Sequence, residues 1–325
     1  MLSRVANSIY WMARYAERAE NLARFIEVAM SFSLDQPDSG VEQWEPLVRA
    51  SGDEKFFIQH YGIFSAKNVQ QFLTFDCRYH SSILTALTNA RENARTVREA
   101  ISSEAWEQLN SLYHLVRRAA QGIPPRDAGF YDDIVQNCYL FSGILDSTMT
   151  RGTGWNFANV GRHLERADKT SRILDVKYFT LLRKVSDVDT PIDDLLWSTV
   201  LRSACAFEMY RKRFHAVTVH RIAEFLIQEH EFPRAIRYCL AQVRDSVTTI
   251  AGPVPLSSNV ALQQVIQVLE YLDATTPDAI ITGGLHELID SMQTSLNRIA
   301  SAVHETYFAL RPFPQRQSQT QSVGI

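Results

Sequence analysis

Apolar residues recur at helical spacing along almost the whole chain. In residues 9–30, Met12, Tyr15, Ala16, Ala19, Leu22, Ala23 and Ile26 share one side of a helix, and Tyr10, Arg14, Glu17, Asn21 and Arg24 share the opposite side. The same period runs through 104–120, 155–182, 195–228, 234–250, 258–274 and 285–310. Breaks fall at 35–40, 51–53, 122–126, 188–192, 252–257 and 275–284, and no window alternates in the manner of a strand. The pattern predicts an all-α fold with helices longer than usual. The polar, proline-bearing end, residues 313–325, reads as a disordered tail after a helical domain spanning 1–312.

The chain also repeats itself. ARYAERAENLARFIEV (13–28) aligns without gaps to GRHLERADKTSRILDV (161–176), with Arg, Glu, Arg, Ala, Arg and Val identical at equivalent places. WEPLVR (44–49) echoes WSTVLR (197–202), and FLTFDCRYHSSILTAL (72–87) echoes FLIQEHEFPRAIRYCL (225–240). The offset grows from 148 to 153, which places about five extra residues in the second half near 184–194. One repeat fills roughly half the chain, so this is no short-period solenoid. The expectation is a helical bundle of two pseudo-symmetric halves, about 1–125 and 150–312. Its signature helices would lie near a pseudo-two-fold axis.

Those helices carry the candidate chemistry. Arg14, Glu17, Asn21 and Arg24 fall within a sector of ~80°, matched by Arg162, Glu165, Lys169 and Arg172 on the second copy. Arg18 and Arg166 flank the stripe on one side, Glu20 and Asp168 on the other. Guanidinium forks beside a carboxylate suit three arrangements: a solvated face of i,i+4 ion pairs, a buried ionic network joining the halves, or a site for an anionic ligand. In the last, Glu17 or Glu165 could serve as a general base. A second basic stretch, 90–101, places Arg91, Arg95 and Arg98 on one helical face with Glu92 and Asn93 beside them, also suited to an anionic group. In FPRAIRYC (232–239), Pro233 and Arg234 read as a helix start.

Composition narrows the field. Glycine and proline total 24 of 325 residues, too few for a turn-rich β protein. A net charge of −3 gives no electrostatic case for nucleic acid. No apolar run is long enough for a membrane span and no export signal is legible, so the cytoplasm is the expected location. There Cys77, Cys138, Cys205 and Cys239, none in a CxxC pair, read as buried free thiols. Phosphate-loop, nucleophile-elbow and HExxH patterns are missing, and no acid precedes a histidine by three residues. The sequence therefore offers no nucleotide, metal or covalent site of its own.

SIYWMARYAERAENLARFIEV, RENARTVR, GWNFANVGRHLERADKTSRIL and FPRAIRYCL, in that order, resemble the bacterial alpha-E family, a helical domain with a Glu-Arg signature. The resemblance runs from residue 1 to about 310. It implies a genetic neighbourhood containing a circularly permuted ATP-grasp protein, a transglutaminase-like peptidase and a proteasome-like peptidase. The implied role is an accessory or catalytic component of an amide- or peptide-bond-forming system, with ATP and Mg on the ATP-grasp partner. The family's polar residues correspond here to Arg14, Glu17, Arg18, Glu20, Arg24, Arg91, Glu92, Asn93, Arg95, Arg162, Glu165, Arg166, Asp168 and Arg172. Arg-Ala-Ile at 234–236 departs from the Arg-Ser-Val expected in many relatives, which argues against a hydroxyl role there. The alternative is a non-catalytic scaffold whose Glu-Arg networks are internal struts. A third reading is a stand-alone enzyme using Glu17 or Glu165 as base.

Overall fold

The computed structural model describes residues 1–35, 44–122, 128–181, 191–276, 279 and 284–309. The fold is all-α, and no strand occurs among the described residues. The segments 36–43, 184–190 and 313–325, on which a predicted break, the predicted insertion and the tail fall, lie outside them.

Two long helices form the centre. α1 runs from Ser3 to Asp35 and α8 from Thr153 to Leu181. At ~1.5 Å rise per residue they span about 50 and 44 Å. Both are buried nearly all round, because each is wrapped by shorter helices. α2 (Glu45–Ser51), α3 (Glu54–Tyr61), α4 (Ala66–Phe75), α5 (Ile83–Thr96), α6 (Ser103–Gln121) and α7 (Ala128–Thr148) follow α1. After α8 come α9 (Pro191–Ser203), α10 (Phe207–Arg213), α11 (Val219–Ala223) with a π turn (Glu224–Gln228), α12 (Ile236–Ala251), α13 (Val260–Ala274) and α14 (Leu285–Val303) with a second π turn (His304–Phe308). α5 and α7 lie along α1, while α12 and α14 lie along α8. Short helices cross over: α2 packs on α8 and α9 on α1.

Local sequence explains the starts and stops. The hydroxyls of Ser65, Ser82 and Ser102 each accept from a backbone N–H three residues on, satisfying a free donor at the starts of α4, α5 and α6. Gly52, with φ of 84°, ends α2 in a conformation that would strain any other residue.

Four differences from the periodicity stand out. The 195–228 pattern breaks into α9, α10 and α11, with Cys205 at a φ of 51°, the described non-glycine residue in the left-handed region. The 285–310 pattern closes in a π turn. α5 ends at Thr96 and Val97 departs from helical geometry, so Arg98 is not on one helical face with Arg91 and Arg95. α7 falls outside the windows named above, yet its Phe130, Ile134, Cys138, Phe141 and Leu145 are buried at helical spacing. Cys138 and Cys239 are buried free thiols as expected, but Cys77 and Cys205 are exposed. No described helix is long and apolar enough to cross a membrane.

α8 approaches α1 closely at Gly161. A Cβ added there would collide with the backbone carbonyl of Tyr10. Gly161→Ala must therefore push the central helices apart. The expected loss of stability is about 1–3 kcal/mol, read by thermal or denaturant unfolding.

Candidate functional site

The polar side of α1 does not face solvent. It meets the polar side of α8, and the two signature segments exchange partners. Glu165 of α8 is 0% exposed. It accepts from Arg18 Nε at 2.6 Å and Nη2 at 3.0 Å, and from Arg14 Nε at 2.9 Å. Glu17 of α1, 5% exposed, accepts from Arg166 Nε at 2.7 Å and Nη2 at 2.9 Å. Each helix thus offers a carboxylate to a two-pronged guanidinium of the other, at positions 148 residues apart in the sequence. Fork-on-carboxylate geometry is among the strongest forms of charged hydrogen bonding.

The lattice extends outward from these two clamps. Lys169 Nζ lies 3.6 Å from Glu165 and 3.1 Å from Asp168, and Arg172 Nε donates to both oxygens of Asp168 at 2.9–3.0 Å. Glu20 pairs with Arg24 one turn on. Arg24 also reaches Cys205, whose Sγ is 3.2 Å from the Tyr139 hydroxyl. Asn21 donates to the Glu17 carboxylate at 3.1 Å and to its backbone carbonyl at 2.7 Å.

The sequence reading missed one member. Arg234 sits just before α12, where it was read as part of a helix start. Its Nη2 donates to both Glu20 oxygens at 2.9 and 3.0 Å, and its Nη1 donates to Asn21 Oδ1 at 3.0 Å and approaches Glu17 at 3.5 Å. The Thr170 hydroxyl donates to its backbone carbonyl at 2.9 Å. Two arginines, Arg234 and Arg237, stand in the otherwise mostly apolar segment 232–240, and its sequence does not distinguish which of them turns inward. Lys169 was seen in the stripe but not named as a site residue.

Other candidates are placed elsewhere. Arg162 hydrogen-bonds Asp146 of α7 at 3.2 and 3.3 Å and Asn159 at 2.9 Å, and acts on Glu17 through its charge alone. Arg91 donates to Asn110 and Glu92, and Arg95 to Glu92, all on α5 and α6. Asn93 donates to the Asn89 carbonyl of its own helix. Arg98, past the end of α5, lies over the Trp106 ring at 5.0 Å. None of these hydrogen bonds and ring contacts is made to a residue of the Glu-Arg lattice.

The electrostatics match the burial. Burial alone would raise the Glu17 carboxyl, but the guanidiniums of Arg166 and Arg234 hold it at about 2. Burial likewise opposes ionisation of Glu165, and Arg18, Arg14 and Lys169 outweigh it, keeping it well below the usual range. Asp168 is lowered by Lys169 and Arg172 against the same penalty. Burial disfavours charge on Arg14, Arg18, Arg172 and Arg234 too, yet their acids raise them all. His163, buried among Arg166 and Arg162, is pushed well below its ordinary value and stays neutral. Carboxylates so strongly held as anions are poor proton acceptors near neutrality. The gap lined by Glu17, Asp146, Asn159 and Arg162 is about 10 Å³, room for about one water.

Comparison with known proteins identifies a family. The model of a family described as a predicted alpha-helical domain with a conserved ER motif, Alpha-E, matches residues 1–308. The chain belongs to the alpha-E family. Two similar relatives are uncharacterized proteins of Mycobacterium bovis and of Mycobacterium tuberculosis strain CDC 1551, each 21% identical over 338 residues, covering 94% of this chain and 37% of the relative. The alpha-E chain thus spans a little over a third of the length of the curated relatives it matches. No solved structure matches it.

Glu17→Gln keeps the side chain's shape and leaves Arg166 without its counter-charge, while Arg234 keeps Glu20. An expected cost of about 3–5 kcal/mol is measurable by denaturant unfolding, with Glu165→Gln behaving alike. The pH dependence follows from the direction of the shift. The folded Glu17 value of about 2 lies below the ordinary 4.5, so its stabilisation is complete above about 4.5 and lost as pH falls towards 2. The melting temperature of the wild type should drop across that window, and that of Glu17→Gln should drop less.

Proposed function

We propose that this alpha-E chain is a non-catalytic helical component of an ATP-grasp-dependent amide- or peptide-ligase system, with the Glu-Arg lattice as its internal brace. The observation that carries the brace reading is the mutual satisfaction of the charges. Glu17 and Glu165 are buried, each is gripped by a guanidinium fork from the other helix, and the gap beside Glu17 is about 10 Å³. An anionic substrate would have to displace carboxylates already held at hydrogen-bonding distance. Removing such a group from its partners costs several kcal/mol, more than a small anion regains. The general-base role is disfavoured by the same grip.

Two further elements belong to this reading. The first is descent of the chain from a duplicated unit, giving two pseudo-symmetric halves. Supporting it are the reciprocal clamps, α5 along α1 mirrored by α12 along α8, and α2 on α8 mirrored by α9 on α1. The start of α5 at Ile83 and of α12 at Ile236 differ by 153, the offset of the sequence echo. The second is the partnership. The family resemblance supports a circularly permuted ATP-grasp protein as the subunit that binds ATP and Mg and activates a carboxylate, with a transglutaminase-like peptidase nearby, in the cytoplasm. The matched relatives carry most of their length outside the part this chain matches, which leaves room for a second activity on one polypeptide.

Mixing the chain with a circularly permuted ATP-grasp protein of the same organism tests the partnership. A stable complex at micromolar concentration, seen by size exclusion, is the expected outcome, and its failure to form rejects the assignment. For the brace reading, Glu17→Gln and Glu165→Gln should lower the melting temperature steeply. Ligase activity of the mixture, per folded molecule, should stay within about twofold of wild type, a change of less than about 0.5 kcal/mol. Folded variants that abolish activity would favour the ligand-site reading instead.

A further inference from the structure

Away from the brace, the π turn at Glu224–Gln228 opens a cleft of about 480 Å³ between the end of α10, the start of α12 and the end of α13. A volume of this order suits a small ligand, and π turns in helices frequently mark functional positions. Its walls combine three chemical features. Phe214 and Phe225 supply an aromatic surface, their ring centroids 6.3 Å apart and nearly perpendicular. Glu229 is a fixed carboxylate: its Oε1 accepts from the backbone N–H of His230 at 2.8 Å and of Glu231 at 3.2 Å, and its side chain is 9% exposed. Arg213 is the solvated counterpart. It pairs with Glu229, rests on the Phe214 ring at 5.4 Å, and its side chain is 52% exposed.

The rest of the cleft is held rigid. Arg237 grips Asp273 with Nε at 2.6 Å and Nη2 at 3.1 Å. Gln228 donates to the carbonyls of Leu272 and Thr275 at 3.1 and 2.6 Å, tying the π turn to α13. Two pairs at the wall have a half-exposed arginine, Arg213–Glu229 and Arg221–Glu224, and of these Arg213–Glu229 is the one with both partners lining the cleft. Opening a pair with a solvated arginine costs little, so a ligand carrying both charges can take its place without leaving either partner bare.

We infer that this cleft binds a zwitterionic amino acid or dipeptide with an apolar side chain, which inserts between Glu229 and Arg213. The ammonium group meets Glu229, with Glu224 also on the wall. The carboxylate meets the Arg213 guanidinium, and the side chain lies on Phe214 and Phe225. Recognition of this kind needs both termini, because a ligand lacking one charge leaves Glu229 or Arg213 without a partner inside the cleft. The site is separate from the brace and does not depend on the proposed ligase partnership.

Calorimetric titration of the isolated full chain tests it, with phenylalanine, leucine and the dipeptide Leu-Phe as probes. N-acetyl-phenylalanine and phenylalaninamide are the singly charged controls. Saturable binding of at least one zwitterion is expected, weakened roughly tenfold or more by either blocking group. Preference for Leu-Phe over the free amino acids assigns the site to peptides, and the reverse assigns it to amino acids. Glu229→Gln and Arg213→Gln should each weaken binding by a similar factor. Arg213 is half-exposed, so its variant stays folded and decides the matter if Glu229→Gln does not fold. Absence of saturable binding up to about 10 mM, equal binding of blocked and zwitterionic probes, or full affinity in Arg213→Gln overturns the inference.

Discussion

Two carboxylates buried between a pair of long helices set the terms for the rest of this fold. Withdrawing an ion from water costs several kcal/mol even after the protein relaxes around it. That cost is offset only if every buried acid meets a cation at hydrogen-bonding distance. Glu17 and Glu165 meet theirs across the α1–α8 contact, which forces the polar side of each helix inward and leaves the apolar sides to the surrounding helices. Close approach is needed for forks to span the gap, and Gly161 against the Tyr10 backbone provides it. The outer layer then fills in: Lys169 and Arg172 on Asp168, Arg234 and Arg24 on Glu20.

The helical class was legible because long runs of 3.6-residue periodicity leave little ambiguity, as in α1, α6, α8 and α13. The breaks were harder. Cys205 adopts a left-handed backbone that nothing in its side chain requires, and the surrounding helices, rather than local propensity, impose it. Thr96 ends α5 while the arginine spacing continues, so Arg98 looked aligned with Arg91 but is not. The signature residues of the lattice could be named because they repeat. Which of them would pair could not, since reciprocal exchange is a property of two helices facing each other. Arg234 escaped for the same reason, being brought to Glu20 by the chain's return after the π turn rather than by any helical register.

The chain thus holds its charged groups in two different states. In the lattice the acids are buried and each meets at least two cationic partners. Around the cleft the charged groups are part-solvated, and one pair rests on a single ion contact. A short stretch joins the two: Glu229 and Arg237 line the cleft, and Arg234 between them grips Glu20 and Asn21.

The reciprocal clamps also restrict how the molecule can move. A slip of α1 along α8 by one turn, about 5.4 Å, would tear both carboxylates from both guanidiniums at once, since the two contacts run in opposite senses across the same seam. Rotation of either rod about its long axis would do the same. The central pair therefore travels as a single stiff beam, and piston or ratchet motions are closed to it. Whatever flexing accompanies this protein's work is confined to the shorter segments hung along its flanks.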